Sequence, residues 1–588
     1  MNDLGPSYQA RVRKRTIILA FFFLIWFFVL MLRLVQLQVI ESGRLRQAVI
    51  SQSQDERPII PERGSIYDRH GQILARSHPA PTVCLIPDGK SRPEDLTAGA
   101  ARLKASLGLT EKELAGIRSR IDSGDTFIYV KRKISWDQAG QIAKLNLKNI
   151  YIQRESRRSY PLGTLAAHVL GGVNIDGEGQ SGLELQYNSR LEGVRGSSLI
   201  LRDANKRRYS FEVLKEPKPG QDLILTLDET IQYIAERELE KAVREHEASW
   251  GTVIVSHPAS GEILAMATSP TYDPNDYPPK PFELARNGAI QQNFEPGSMF
   301  KIVTAAAARE TGAVGFNEIF DCSPGFIRVA GWTIRDHKRM GVLTFPEVIV
   351  HSSNVGTIMV GQRVGQERLY REIQAFGFGR KTGLDLPGEE DGIFHPLNVW
   401  SRTSLAAHSI GYEISVTAIQ MLQAMNILAN RGVHVPFRMT RPSLNPAGFD
   451  WGAPAVGDRI VSEKTASELV TRVFEGVILD GTGQAARVDG FSAAGKTGTA
   501  RKLDPELGIY VASRHVASFV GFIPADRPLI SIVVVLDEPK FSLQYGGQVA
   551  APVFREIARR VLLYYRQAPQ FAPDEKTVTA RLQSEDRP

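Results

Sequence analysis

Seventeen consecutive uncharged residues, TIILAFFFLIWFFVLML at 16–32, constrain this chain more than any other feature. As a helix rising about 1.5 Å per residue, the run spans about 25 Å, near the lower limit for crossing a bilayer. RLVQLQVI after it can carry the helix onward. A cleaved signal peptide would have a shorter apolar core followed by a small-x-small site, whereas Arg33, Leu34 and Val35 follow here. The expected arrangement is an uncleaved transmembrane anchor over 16–36 preceded by a cytoplasmic N-terminus over 1–15. Arg11, Arg13, Lys14 and Arg15 crowd the N-terminal side and set that orientation. The rest of the chain is then expected outside the cytoplasm, and no second apolar run approaches this length.

With 588 residues, the chain has room for roughly three or four domains. A hydrophobic content of 43% and a charged content of 23% are those of a chain that mostly folds. A net charge of +7 is compatible with anionic lipid or an acidic polymer nearby, and equally with a solvated basic surface. Cys84 and Cys322 are the only cysteines, which excludes a disulfide framework and a zinc-type thiolate site.

Beyond the anchor the texture changes near residue 220. Residues 37–220 alternate short strand-like and helix-like pieces with glycine-rich turns such as GGVNIDGEGQSGLE at 171–184, an extended and loop-rich module. From 221 to 567 a different pattern holds. DLILTLD reads as a strand, and ETIQYIAERELEKAVREH at 229–246 as an amphipathic helix with Ile231, Ile234, Leu239 and Val243 near one face and Asp228 as N-cap. Two hairpins follow, one around HPASG within 251–267 and one around Pro524-Ala525-Asp526. Helical patterning dominates 298–480, and APVFREIARRVLLYY at 551–565 closes the region as a helix. Strands at both ends of a helical middle predict the α+β class, an antiparallel sheet with a helical subdomain. The tail from 568 to 588 is charged, proline-bearing and aperiodic, and is expected to be disordered.

GFSAAGKTGTA at 490–500 carries two motifs at once. Gly490-x-x-x-x-Gly495-Lys496-Thr497 matches a phosphate-binding loop, and Lys496-Thr497-Gly498-Thr499 matches one element of the penicillin-interacting serine enzymes. A phosphate loop joins a buried strand to a helix. Here GQAARVDG precedes Gly490 and is too polar for a buried strand, while GTARKLDPELG follows with two glycines and Pro505 and leaves little room for a helix. The exported location also removes the nucleotide. Lys496-Thr497-Gly498-Thr499 is instead expected to open an edge strand, where a glycine admits a close backbone and a lysine with two hydroxyls can hold a carboxylate.

Ser298 and Lys301 lie in FEPGSMFKIVTAAAARE, where Pro296-Gly297 breaks the chain just before a strong helix former. Their spacing puts the lysine on the same helical face as the serine. A serine hydroxyl needs a base, and a lysine can serve if burial and nearby positive charge lower its pKa. Alone, the pair reads equally as a capping serine beside a solvated lysine. Ser352 and Asn354, in VIVHSSNVG, offer a hydroxyl and an amide two apart, or simply a turn with a satisfied asparagine. His351 beside them suggests a Ser-His hydrolase, but no serine here lies in Gly-x-Ser-x-Gly.

Taken together and in this order, Ser298-x-x-Lys301, Ser352-x-Asn354 and Lys496-Thr-Gly-Thr499 resemble the three motifs of penicillin-binding transpeptidases. RGSIYDRHGQILA at 63–75 and RRSYPLGTLAAHVLGGVN at 157–174 resemble the non-catalytic pedestal, or dimerisation-type, domain of class B members. GEILAMATSPTYDPN at 261–275 and YGGQVAAPVF at 545–554 resemble sequences flanking the catalytic site. Glu295-Pro-Gly before the serine resembles the division-specific, penicillin-binding protein 3 type, where the elongation type more often carries Pro-Pro-Gly.

The resemblance implies that Ser298 attacks a D-alanyl-D-alanine bond of a peptidoglycan stem peptide, with Lys301 as base and Ser352 relaying the proton. Asn354 would position the substrate amide, and Lys496, Thr497 and Thr499 would hold its carboxylate across Gly498. β-Lactams would acylate the same serine. Met299 stands where many relatives carry threonine, which leaves the local packing open. The implied partners are the bilayer, stem peptides, β-lactams, a polytopic septal glycosyltransferase and other division proteins. No cofactor, metal, nucleotide or nucleic acid is implied. A carboxypeptidase or lactamase on the same site, an elongation transpeptidase, and a non-catalytic β-lactam sensor or scaffold remain as alternatives.

Overall fold

The structure is a computed structural model that describes residues 6–43, 54–87, 91–125, 127–202, 208–442, 457–504, 508–540, 542 and 545–571. Its first element is a helix, Pro6–Val35, running on through a π-helical turn, Gln36–Ile40. Within it, Ala10–Ile40 is long and apolar enough to cross a membrane, and none of its most apolar stretch is buried by protein. The continuation after residue 32 is the one RLVQLQVI predicts.

The chain groups into two compact units, each gathered from separate stretches: 1–62, 79–156 and 193–219 in one, 63–78, 157–192 and 220–588 in the other. The first unit contains a three-stranded antiparallel sheet of Gln54–Ile59, Gly196–Arg202 and Arg208–Lys215. It also contains a small α/β core. Val83–Leu85 pair with Ile128–Lys131, and Leu96, Leu103, Ile117, Ile121 and Ile142 from three short helices pack against Val83, Leu85 and Ile128. Two of those helices are stopped at their N-termini by full capping boxes, Thr110 with Glu113 and Ser135 with Gln138.

The second unit takes in both pedestal-type signatures. Arg63 and Arg158, 95 positions apart by numbering, converge on Glu184, whose side chain has no exposed surface. Arg63 Nε donates to Glu184 Oε2 at 2.7 Å and Arg158 Nε to Oε1 at 2.6 Å, while the Tyr160 hydroxyl donates to Oε1 at 3.2 Å.

The body of this unit is a five-stranded antiparallel sheet. Its elements are α1 (Glu229–Glu245), β1 (Trp250–His257), β2 (Glu262–Ser269), α2 (Lys301–Glu310), α3 (Asn354–Val364), α4 (Ala418–Ala429), β3 (Ala494–Asp504), β4 (Ile509–Ile523), β5 (Ile530–Asp537) and α5 (Gly546–Tyr564). The strand order is β2-β1-β5-β4-β3, which leaves β3 at an edge. Every residue of β5, ISIVVVLD, is buried, as expected for a central strand covered on both faces. Ile532, Val534 and Leu536 face α1 and α5, whereas Val533 and Val535 face the core that includes α2 and α4. Period-2 alternation in one apolar run thus serves two cores.

Asp228 caps α1 as its sequence predicts, accepting from Thr230 N and Ile231 N. Two features differ from expectation. The closing helix begins at Gly546 rather than 551. A Cβ at Gly546 would lie 2.2 Å from Ser518 O and 2.3 Å from Gly498 O, so two glycines of low helix propensity stand where only they fit beside the sheet. Residues 568–571 of the expected disordered tail are ordered: Gln570 N and Phe571 N donate to Gly490 O at 2.7 and 3.2 Å. The rest of the tail, 572–588, lies outside the described residues.

Candidate active site

Ser298 occupies a 3₁₀ turn, Gly297–Phe300, that leads directly into α2. Pro296 and Gly297, the latter at φ +50°, set the turn, and the apolar face of AAAARE drives the helix into the core. Ser298 is half-buried, Met299 and Phe300 are fully buried, and Lys301 begins α2 with no exposed surface. Met299, left open by the sequence, is core. A Cβ at Gly498 would lie 2.8 Å from Met299 Cγ and 3.0 Å from Pro296 O. Ser518 Oγ would lie nearer still, at 2.3 Å, so Gly498 admits both the neighbouring strand and the Ser298 turn.

Lys301 Nζ donates to Ser352 O at 2.8 Å, to Asn354 Oδ1 at 2.9 Å and to Ser352 Oγ at 3.3 Å. From the opposite side Lys496 Nζ donates to the same Ser352 Oγ at 3.1 Å and to Thr497 O at 3.1 Å. Residues 298–301, 352–354 and 496–498 thus meet at one place. Ser352 lies at φ +59°, a left-handed conformation that costs a non-glycine residue on the order of 1–2 kcal/mol. It is held there between the preceding short helix, Phe345–Val350, and α3, with its hydroxyl between the two ammonium groups.

Burial dominates the electrostatics. It pulls Lys301 down to about 7, with the negative charge of Asp336 opposing the shift. Burial and then the neighbouring Lys301 charge drive Lys496 well below its ordinary value. Two lysines sharing one hydroxyl, with neither paired to a carboxylate among the described residues, leave little room for two positive charges.

The strand places its motif by alternation. Lys496 pairs with Val520 and Gly498 with Ser518 in the β3–β4 register. Thr497 Oγ1 shares a hydrogen bond with Thr482 Oγ1 at 2.7 Å, and Thr499 Oγ1 accepts from Gly546 N, the first residue of α5, at 3.1 Å. The phosphate-loop reading fails here on geometry: Lys496 and Thr497 lie inside β3, which runs into a hairpin with β4.

Asp336 is the residue sequence reasoning missed. It accepts from Ser353 Oγ at 2.8 Å, from Asn354 N, and from Val355 N at 3.1 Å, so it caps α3 from outside while Ser353 caps it from within. Asn354 Nδ2 donates to Arg335 O at 3.1 Å, which fixes the amide orientation presented to Lys301. An acid among the cations of TIRDHKR gives no sequence signal of its own; only the fold brings it to Ser353.

The penicillin binding protein transpeptidase domain family matches residues 251–559, and the penicillin-binding protein dimerisation domain family matches residues 58–225. Stage V sporulation protein D of Bacillus subtilis is 35% identical over 557 residues, covering 93% of this chain and 85% of that protein. The peptidoglycan D,D-transpeptidase FtsI of Escherichia coli is 32% identical over 532 residues, covering 90% and 88%. Penicillin binding protein 3 of Mycobacterium tuberculosis, solved in complex with aztreonam, superimposes with a TM-score of 0.67 at 29% identity, over 88% of this chain and 100% of that one. With two family domains in series and relatives aligned along nearly their whole length, the chain belongs to the class B penicillin-binding proteins.

Proposed function

We propose that the chain is a serine D,D-transpeptidase that cross-links peptidoglycan stem peptides through an acyl-enzyme at Ser298, and that β-lactams acylate the same serine. The observation that carries this reading is the Ser352 hydroxyl held between two buried lysines, one of them beginning the helix that follows Ser298. Lys301, drawn toward neutrality by burial, takes the proton of Ser298 Oγ as that oxygen attacks the carbonyl carbon. Ser352 passes a proton to the departing D-alanine amine. Lys496, with Thr497 and Thr499, holds the terminal carboxylate, and Asn354 orients the substrate amide. An amine from a neighbouring strand then attacks the ester and releases Ser298.

The Glu295-Pro296-Gly297 signature and the likeness to FtsI and penicillin binding protein 3 support a septal role. The N-terminal helix is the membrane anchor, and the basic cluster of residues 11–15 supports a cytoplasmic N-terminus with the site outside. Glycan polymerisation then falls to a partner, a polytopic membrane glycosyltransferase.

The test is the purified full chain with a stem pentapeptide and an amine acceptor. The expected result is a cross-linked product with release of D-alanine, absent for Ser298→Ala. Hydrolysis alone would mark a carboxypeptidase, and a stable penicillin adduct without turnover of peptide would mark a sensor.

A further inference from the structure

Glu295 is a half-buried carboxyl beside the site that the chemistry above leaves unused. Its Oε1 accepts hydrogen bonds from Glu413 N and from the Tyr510 hydroxyl, both at 3.0 Å. Its Oε2 is buried without a hydrogen-bond partner. Gly297 N donates to Gly411 O at 3.0 Å, so the 411–413 turn is tied to residues 295–297 at two points. Tyr412 extends the connection. Its ring meets that of Tyr510 edge to face at 5.3 Å, and its hydroxyl accepts from Arg501 N, two residues beyond Thr499, at 3.4 Å. One carboxyl therefore joins the nucleophile turn, the 411–413 turn and the start of β4.

The ionisable groups around it are few. Glu413 presents a second carboxylate, held by the Ser404 hydroxyl, and the Tyr412 and Tyr510 hydroxyls face the same space. Arg501 bonds Tyr412 through its backbone N–H and its charge also acts on the Tyr412 hydroxyl, while no cation pairs with Glu295 among the described residues. Burial raises the Glu295 carboxyl to about 7; the bonds from Tyr510 and Glu413 N oppose this, and the Glu413 charge adds to it. Burial together with Glu295 raises Tyr510 far above the usual phenol, which keeps it a donor.

We propose that Glu295 is a positioning residue that works as a proton-dependent latch: as a neutral acid it lies at rest beside the Glu413 carboxylate and keeps the 411–413 turn against the nucleophile turn, and as an ion it repels Glu413 and loosens that turn. Ionisation places a negative charge next to Glu413 with one oxygen lacking any donor, and the repulsion falls on a turn bonded to Gly297. A small displacement of that turn moves Ser298 relative to β3, where reactivity depends steeply on placement. The proposal rests on the transpeptidase reading and deepens it.

The test measures the second-order rate of acylation of the full chain by a fluorescent penicillin from about pH 5.5 to about pH 9. Wild type should peak at about 7, where loss of the Lys301 proton and ionisation of Glu295 overlap, and should be slower on both sides. Glu295→Gln, neutral at every pH, should keep the rise and lose the fall, exceeding wild type by about threefold or more at the alkaline end. Tyr510→Phe should lower the rate while leaving Ser298 reactive. A wild-type profile without an alkaline fall, or a Glu295→Gln profile that superimposes on wild type after scaling, would overturn the latch. Absence of any wild-type acylation would instead overturn the transpeptidase reading beneath it, so the two failures are distinct.

Discussion

Two buried polar clusters in the same compact unit follow opposite rules. Around Glu184, two guanidinium groups and a phenol converge on one carboxylate, and Arg63 NH1 and Arg158 NH1 are further bonded to Asn188 Oδ1 and Gly64 O. Around Ser352, two ammonium groups converge on one hydroxyl, and the carboxylate of Asp336 is bonded to the start of α3 and acts on Lys301 only at a distance. The first cluster pairs each cation with a carboxylate oxygen and fixes the chain, with Arg158 Nη2 alone left without a partner among the described residues. The second leaves like charges together and out of water, and the relief comes as lowered lysine pKa values. Burial beside an opposite charge fixes structure, and burial of like charges lowers the pKa of an amine.

The comparison can be broken or sharpened by substitution. The largest effect belongs to Ser298→Ala, which should lower acylation by labelled penicillin on the order of 10⁴-fold or more, with the thermal midpoint unchanged. Lys301→Met comes next. It should slow acylation by about 10²–10⁴-fold and flatten the rise in rate through about 7. The sign follows from the group: below about 7 Lys301 holds its proton and cannot accept that of Ser298, and above it the neutral amine can. Because the substitution removes a charge from a site without exposed surface, its thermal midpoint should hold or rise.

Glu184→Ala should do the reverse. It strands Arg63 and Arg158 in the interior, costs about 3–5 kcal/mol, and lowers the thermal midpoint while acylation per folded molecule is retained. A Glu184 variant that kept its stability but lost acylation would erase the distinction between the clusters. The smallest effect is expected for Gly498→Ala, whose methyl would press on Met299 and Pro296. It should cost about 1–3 kcal/mol in a thermal melt and slow acylation by displacing the Ser298 turn.

Local chemistry made much of the catalytic region readable in advance. The unbroken apolar run of β5, the hairpins on either side of it and the Asp228 cap each depend on residues within a few positions of one another. The spacings of Ser298, Lys301, Ser352, Asn354 and Lys496 repeat a known set of motifs, and the fold brings Lys301, Ser352, Asn354 and Lys496 into one hydrogen-bonded group. What escaped were pairings made only by the fold. Asp336 acts on a helix that begins 18 positions later, and Glu184 gathers partners from 63 and 158. Gly546-Gly547 has low helix propensity yet begins a helix, and a side chain there would meet the sheet backbone at Gly546 and Thr482 O at Gly547. Residues 568–571 look like the rest of the tail, and only distant partners, Gly490, Ser492 and Asp526, order them.

Peptide mapping of the penicillin adduct tests the central claim most directly. The full chain treated with a labelled β-lactam should carry one covalent adduct, on the peptide containing Ser298, retained in Glu184→Ala, lost in Ser298→Ala and formed far more slowly in Lys301→Met. An adduct on another residue, or one that survives removal of the Lys301 amine at an undiminished rate, would contradict the assignment of these side chains to a single acylation centre.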